Sequence, residues 1–254
     1  MVAEARLQGK VVLITGGRRV GSALARMLAE RGAILAMTYH TSREAIENTI
    51  AEIQALGAHG LAVGADLSVA KEAQQAVSAV VSRFGRLDVL VNMASVYRKT
   101  PLQSLTGDDF DQMIAANLAA PFHTAIAAAR QMLTQEDDDG IKGKIVSIGD
   151  WASDRPYKDY LPYLVAKGGL ATLTLALAKE LAPHVAVAMI QPALIDPPAD
   201  FTAADTASVI AQTPMRRRGT PDDVNRLILY LLEGTNFVTG VCYRVDGGRF
   251  LGQE

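Results

Sequence analysis

Short apolar runs alternate with longer amphipathic stretches along most of this chain. The first run, "VVLIT" at 11–15, is continuous and rich in β-branched residues, which predicts a strand buried on both faces. Similar runs predict further strands at 33–39, 60–66, 87–92, 144–148, 185–190 and 242–245. Strands of this kind are typical of parallel sheets that carry helices on both sides.

The stretches between these runs have helical spacing. Ile46, Ile50 and Ile53 share one helical face, and Thr41 with Glu44 predicts a capping box at the start of that helix. The helices expected from such patterns cover about 22–32, 41–57, 73–84, 106–135, 160–182 and 220–233. Regular alternation of strands and helices predicts an α/β fold with a doubly wound parallel sheet, forming a single domain over 1–254.

Composition and charge narrow the function classes. The 254 residues have a formal net charge of -2 and one cysteine, so we expect no internal disulfide framework and a cytoplasmic protein. No basic run is longer than 216–218, so no nucleic-acid partner is expected. The chain lacks an apolar signal core and a run of 18 apolar residues, and its four histidines have no metal-ligand spacing, so neither membrane nor metal is expected.

A glycine-rich turn follows the first predicted strand. In "LITGGRRVGSALA", Gly16, Gly17 and Gly21 lie between that strand and a helix, where backbone N–H groups and the helix N-terminus favour a phosphate. Ligands in doubly wound sheets bind beyond the carboxyl ends of strands, and "NMAS" and "IGDW" also follow strands. We therefore expect a nucleotide cofactor at this edge.

The end of the second strand indicates which nucleotide. NAD sites usually have an acidic residue there to hold the ribose, whereas this chain has His40, Thr41 and Ser42. Arg18 and Arg19 lie in the glycine-rich turn, and guanidinium groups can hold a 2′-phosphate. The pattern favours NADPH as the cofactor.

Tyr163 and Lys167 lie four residues apart on one face of a predicted helix. A free phenol has a pKa near 10, and a nearby ammonium group is expected to lower the pKa of Tyr163. Such a pair provides a proton donor or acceptor beside a hydride donor, with Lys167 also able to hold a ribose.

Several motifs occur together and in order: the glycine-rich turn, "NMAS", Asn117 in "AANLAAPF", Tyr163 with Lys167, and "VDGG" near the end. Over nearly its whole length the chain resembles the short-chain dehydrogenase/reductase family. The resemblance implies a Rossmann-type fold, a homotetramer built partly through the two long helices, and catalysis by Asn117, Tyr163 and Lys167. The residues expected to contact the cofactor are Gly16, Gly17, Arg18, Arg19, Val20, Gly21, His40, Thr41, Ser42, Asp66, Leu67, Asn92, Ala94, Ser95, Tyr163, Lys167 and Pro192.

Asp150 lies thirteen residues before Tyr163, where most of that family has a serine. A carboxylate accepts hydrogen bonds and suits a substrate with N–H donors or a ring nitrogen to be protonated. The stretch from Asp150 to Lys167 resembles the pteridine reductase branch. That resemblance adds Asp150 to the catalytic residues and implies substrate contacts from Ser95, Tyr97, Asp150 and Tyr163, with the Tyr97 ring stacked on the substrate.

Three functions remain open from the sequence. The first is NADPH-dependent reduction of a pterin-like or dihydrofolate-like small molecule. The second is reduction of a ketone, such as a 3-oxoacyl thioester or a sugar ketone. The third is a catalytically silent NADPH-binding scaffold or sensor. Asp150 also has a structural interpretation, as the cap of the turn that follows it.

Overall fold

The computed structural model describes residues 7–197 and 201–252. Within them, seven parallel strands form one sheet in the order β3-β2-β1-β4-β5-β6-β7. The strands are β1 Val11–Thr15, β2 Ile34–Tyr39, β3 Gly60–Gly64, β4 Val89–Asn92, β5 Gly143–Ile148, β6 Val185–Pro192 and β7 Val241–Val245. The predicted α/β fold with a doubly wound parallel sheet is confirmed.

The helices of the described residues connect these strands. They are α1 Val20–Ala29, α2 Arg43–Ala55, α3 Ala70–Phe84, α4 Gly107–Ile114, α5 Ala120–Leu133, α6 Leu161–Leu181, α7 Ala203–Ala211 and α8 Pro221–Leu229. Two π-helical turns, Ala115–Ala119 and Tyr230–Gly234, follow α4 and α8 directly. The helix expected at 106–135 is thus two helices joined by a π turn.

Both faces of the sheet are buried, which explains the continuous apolar runs. Val12 and Ile14 belong to a core cluster shared with α1, α2 and α8, whereas Val11 and Leu13 belong to a second cluster shared with α3, α5 and α6. Successive side chains of one strand therefore point into different cores, and each has to be apolar.

Helix α6 is the longest helix of the described residues, and its 21 residues are apolar enough in composition to cross a membrane. In this fold the helix packs against β6, α4 and α5, and ten of its side chains are buried. Its apolar character is accounted for by that packing. Tyr163 and Lys167 lie in its first two turns, so this largely buried helix also positions the candidate chemistry.

Two local predictions were wrong or incomplete. Helix α2 begins at Arg43 after Ser42, without a side-chain cap, so Thr41 and Glu44 do not form the expected capping box. Helix α7 was not predicted, although Thr202 and Asp205 do form a capping box at its start. The Thr-x-x-Asp signal was present, but the surrounding Ala/Pro-rich stretch gave no clear apolar face.

Candidate active site

A cleft of about 2170 Å³ lies beyond the carboxyl ends of the strands. It is lined by the loop after β1, the ends of β2 and β3, the segment after β4, the turn after β5 and the start of α6. Nearly all of the predicted site residues line this cleft. The exceptions, which lie behind its wall, are Gly21, Asn92 and Asn117.

The glycine-rich loop has a backbone that side chains would block. Gly16 and Gly17 have φ values of 60° and 83°, in the left-handed region that favours glycine. A Cβ on Gly17 would lie 2.8 Å from Met93 Sδ and 2.9 Å from Gly21 Cα. Met93, which sequence reasoning did not assign to the site, therefore supports the loop from below. This tight turn leads into the N-terminus of α1, an arrangement that fits a phosphate group.

The predicted recognition side chains surround this loop. Arg18, Arg19, His40 and Thr41 are exposed, and Ser42 is partly buried. Arg19 forms an ion pair of 2.6 Å with Asp196, a residue that the sequence did not single out. The described end of β2 carries no acidic side chain, so the exposed groups here are cationic or neutral.

Asp66, Leu67, Ala94, Ser95 and Pro192 complete the cofactor side of the cleft. The side chain of Asp66 accepts hydrogen bonds from the Ser68 N–H and hydroxyl, which hold the pKa of its carboxyl below the usual range. Those bonds also fix the orientation of the carboxylate at the β3 end of the cleft.

The two carboxylate oxygens of Asp150 accept hydrogen bonds from different parts of the site. Its Oδ1 accepts the Ala152 N–H at 2.8 Å and caps the 3₁₀ turn Trp151–Ser153, while its Oδ2 accepts the Tyr163 hydroxyl at 2.9 Å. The structural and the chemical interpretation of Asp150 therefore both apply. Burial raises the pKa of the Asp150 carboxyl, against the opposing effects of these hydrogen bonds and of Lys167.

Tyr163 and Lys167 are both buried, and their pKa values correct one expectation. Burial and the charge of Asp150 raise the pKa of the Tyr163 phenol well above 10, so the predicted lowering by Lys167 was wrong. The Lys167 ammonium lies 5.8 Å from the centre of the Tyr163 ring and donates to the Ile148 carbonyl at 2.8 Å. Burial lowers the pKa of Lys167 to about 8.

Asn117 lies in the π turn between α4 and α5 and is completely buried. Its amide donates to the carbonyls of Val96 and Met113, and its carbonyl oxygen accepts the Ser95 hydroxyl at 2.6 Å and the Val96 N–H at 3.1 Å. Asn117 thus holds the segment after β4 in place. π turns are frequent at functional sites because they aim a side chain out of helical register.

An aromatic cluster forms the far wall of the cleft. The Tyr97 ring stacks on Tyr160 with centroids 4.5 Å apart and meets Tyr163 nearly edge-on at 4.9 Å. The Tyr157 hydroxyl donates to the Tyr97 hydroxyl at 3.3 Å, and Trp151 lies beside Tyr157. One face of Tyr97 is therefore already covered. Sequence reasoning missed Tyr157, although it stands in the "RPYKDYLPY" stretch.

Comparison with known proteins identifies the family. Residues 17–249 match the family described as enoyl-(acyl carrier protein) reductase. A 3-oxoacyl-[acyl-carrier-protein] reductase of Synechocystis is 33% identical over 247 residues, covering 95% of this chain and 97% of that protein. The chain belongs to the short-chain dehydrogenase/reductase family.

Solved structures of short-chain dehydrogenases agree in architecture. The short-chain dehydrogenase/reductase of Serratia marcescens superimposes with a TM-score of 0.88 at 32% identity, covering 96% of this chain and 99% of that one. A short-chain dehydrogenase of Burkholderia cenocepacia, solved in complex with NADP, gives a TM-score of 0.87 at 35% identity, with coverage of 96% and 99%. This chain is accordingly an oxidoreductase, and the cleft is its candidate active site.

Proposed function

We propose that this short-chain dehydrogenase/reductase uses NADPH to reduce a C=N bond in a pterin-like or dihydrofolate-like substrate. The observation that carries the proposal is the hydrogen bond of 2.9 Å from the Tyr163 hydroxyl to the Asp150 carboxylate within the cleft. This pair places an acceptor and a proton donor side by side, which a heterocycle with N–H groups and a basic ring nitrogen can use together.

The cleft fits a dinucleotide on its own residues. Gly16 and Gly17 leave backbone free of side chains beside the α1 N-terminus, and Arg18, Arg19 and His40 supply donors for a 2′-phosphate. Asp66 and Leu67 are proposed to contact the adenine, and Lys167 the ribose next to the reacting ring. The bound cofactor supplies the hydride. The Burkholderia relative solved with NADP supports the same choice.

Side chains of the protein donate and replace the proton in the proposed reaction. Tyr163 Oη carries a proton at neutral pH, because burial and Asp150 raise its pKa. We propose that Oη gives this proton to the ring nitrogen of the substrate as hydride adds to the adjacent carbon. As a carboxylate, Asp150 accepts hydrogen bonds from N–H groups of the substrate. After the product leaves, Asp150 takes up a proton from solvent, favoured by its raised pKa, and passes it to the Tyr163 phenolate. Lys167 stabilises the transient negative charge of the phenolate.

The aromatic wall fits a flat substrate. Tyr97 is partly buried beside Tyr163, and its ring is held by Tyr160 and by the Tyr157 hydroxyl. A ring system stacked on Tyr97 uses the face that Tyr160 does not cover. Ser95, whose hydroxyl is held by Asn117, is proposed to line the same pocket.

Reduction of a ketone is the second candidate, and it is favoured by the Synechocystis relative named as a 3-oxoacyl-[acyl-carrier-protein] reductase. Tyr163 Oη would then donate to the carbonyl oxygen. Against this, an ionised Asp150 repels a developing alkoxide where a hydroxyl group would donate to it.

A comparison of substrates tests the proposal. NADPH consumption is measured with dihydrobiopterin, dihydrofolate and a 3-oxoacyl thioester in parallel, with Tyr163→Phe as the control for site-specific turnover. Turnover of a pterin or folate at rates well above that of the thioester supports the proposal. Turnover of the thioester alone selects the second candidate, and NADPH binding without turnover of any compound favours the scaffold.

We also propose a homotetramer assembled partly through the outer faces of α4, α5 and α6. These faces expose large apolar side chains, namely Phe110, Phe122, Leu161, Val165 and Leu175. Exposed apolar patches of this kind mark contact surfaces. Light scattering after size exclusion measures the mass directly, and a monomer at micromolar concentration contradicts the assembly.

A further inference from the structure

Asp196 lies where the proposed cofactor phosphates would bind. Its Oδ2 is 2.6 Å from Arg19 Nη1, and both residues line the cleft. Arg19 is the N-cap of α1, and it is one of two arginines in the glycine-rich loop; the side chain of Arg18 makes no ion pair or hydrogen bond within the described residues. The Asp196 carboxylate is therefore paired with one of the two arginines that are available to bind a phosphate in this loop.

The backbone holds Asp196 in this position. Asp196 follows β6, where the Ala193 N–H donates to the Val245 carbonyl at 3.1 Å and the Gly219 N–H donates to the Leu194 carbonyl at 3.0 Å. The Ile195 side chain packs on the core cluster beneath α1 and α8. Since these contacts fix the residues before it, we expect the backbone at Asp196 to stay beside the groove when Arg19 turns to another partner.

We propose that Asp196 sets the affinity of the cleft for NADPH by holding Arg19 as an internal substitute for a cofactor phosphate. The inference rests on the proposed use of NADPH, and it concerns a residue to which the proposed chemistry assigns no proton transfer. Binding replaces the Arg19–Asp196 ion pair with an Arg19–phosphate pair. The ion pair is lost and the carboxylate faces an anion, so both effects weaken the cofactor complex.

The expected magnitude is modest because the pair is exposed to solvent. An exposed ion pair contributes about 0.2–1 kcal/mol, so Asp196→Asn should tighten NADPH binding by about 1.4- to 5-fold. The change keeps the size of the side chain and removes only its charge. Asp196→Asn should therefore leave the thermal midpoint of unfolding nearly unchanged.

The experiment measures NADPH binding by the fluorescence of the reduced nicotinamide, without substrate, for wild type and Asp196→Asn. Asp222→Asn is the matched control: Asp222 forms an ion pair of the same 2.6 Å with Arg226, is exposed, and does not line the cleft. Arg19→Ala and the double variant complete a double-mutant cycle, which isolates the coupling between the two residues.

Tighter NADPH binding by Asp196→Asn, with Asp222→Asn unchanged and a clearly smaller gain in the Arg19→Ala background, supports the inference. Unchanged binding in Asp196→Asn overturns it, as does an equal gain in the Arg19→Ala background, which would assign the effect to repulsion without Arg19. Parallel measurements with NADH show which phosphate Arg19 takes: a gain with NADPH alone indicates the 2′-phosphate, and an equal gain with both indicates the diphosphate. Absence of NADPH binding in wild type would instead contradict the proposed function.

Discussion

The two ends of the cleft are built in different ways. At the end expected to bind the cofactor phosphates, the backbone forms the surface of the cleft, with Gly16 and Gly17 in left-handed conformations. The side chains of Arg18 and Arg19 at this end are exposed. At the chemical end Tyr163, Lys167 and Asn117 are buried and hydrogen-bonded. A change at the exposed end removes one contact, whereas a change at the buried end leaves a partner unsatisfied. Substitutions at the exposed end can therefore change cofactor affinity at little cost to the fold, whereas substitutions of the buried catalytic candidates also disturb their hydrogen-bonded partners.

The largest effect should come from Tyr163→Phe. Loss of the phenol removes the proposed proton donor, and side-chain acid catalysis typically contributes about 10²–10⁴-fold. We expect turnover to fall by that range while the dissociation constant of NADPH changes little. Steady-state rates and fluorescence binding measure the two separately. Near-normal turnover in Tyr163→Phe would assign the proton to another group, with Asp150 the next candidate.

Asp150→Ser should separate the two candidate substrates. A serine cannot carry the charge or accept N–H groups as a carboxylate does, so pterin reduction should fall by about 10²-fold or more. Activity toward a 3-oxoacyl thioester should rise or stay constant, because a hydroxyl donor suits a carbonyl oxygen. Asp154→Ser is the control, since Asp154 is an exposed carboxylate on the same turn, paired with Arg244. Loss of thioester reduction in Asp150→Ser alone would reverse the assignment.

Cofactor preference tests the exposed end. A guanidinium–phosphate pair contributes about 1.5–3 kcal/mol, so wild type should bind NADPH roughly 10- to 150-fold more tightly than NADH at low salt. Arg18→Ala should remove much of that ratio without changing turnover at saturating cofactor. Arg26→Ala, which loses only a surface pair with Glu52, should leave the ratio intact. Equal affinities of wild type for the two cofactors would refute the NADPH assignment.

The pH dependence of binding probes Lys167 at the buried end. Its pKa is about 8, so the ammonium loses its charge as the pH rises through that value, and NADPH binding should weaken. The Lys167→Arg variant keeps a charged group, and its binding should stay flat over pH 7–9. The free energy of unfolding should increase over the pH range in which NADPH binding weakens. The folded state loses this proton before the unfolded state does, so the contribution of Lys167 to the free energy of unfolding rises between pH 8 and about 10.4.

A prediction on stability alone concerns the backbone of the glycine-rich loop. Gly17→Ala adds a Cβ within 3 Å of Met93 and Gly21, whereas Gly57→Ala adds one with nothing within 4 Å at a similar φ of 86°. Both variants should lose about 1–2 kcal/mol of unfolding free energy from the left-handed conformation, and Gly17→Ala about 1–3 kcal/mol more from the clash. Urea denaturation measures the difference. Equal losses of unfolding free energy in the two variants would show that the glycine-rich loop shifts enough to accommodate the added Cβ.

The sequence was informative where one local pattern determines one structure. The strand "VVLIT" and the spacing of Tyr163 and Lys167 both follow from side chains within a few residues, and the structure places them as predicted. The raised pKa of Tyr163 was missed because it depends on burial and on the direction of Asp150, which only the packed fold sets. Asp196 was missed for a similar reason: it meets Arg19 through the topology of the sheet, 177 positions apart in the chain (196 − 19).

The π turn at Ala115–Ala119 has a consequence for the phase of the helix around it. Each residue of an α-helix turns the chain by about 100°, so one extra residue in a turn offsets everything beyond it. The side chains of helix α5 are therefore rotated about the helix axis relative to the phase that helix α4 would have continued. This rotation lets Asn117 reach the segment after β4 while Ala125 and Ala128 face the core. A deletion of one residue here restores a regular helix and misdirects one of its two halves. Insertions and deletions in this stretch are constrained by angle as well as by length.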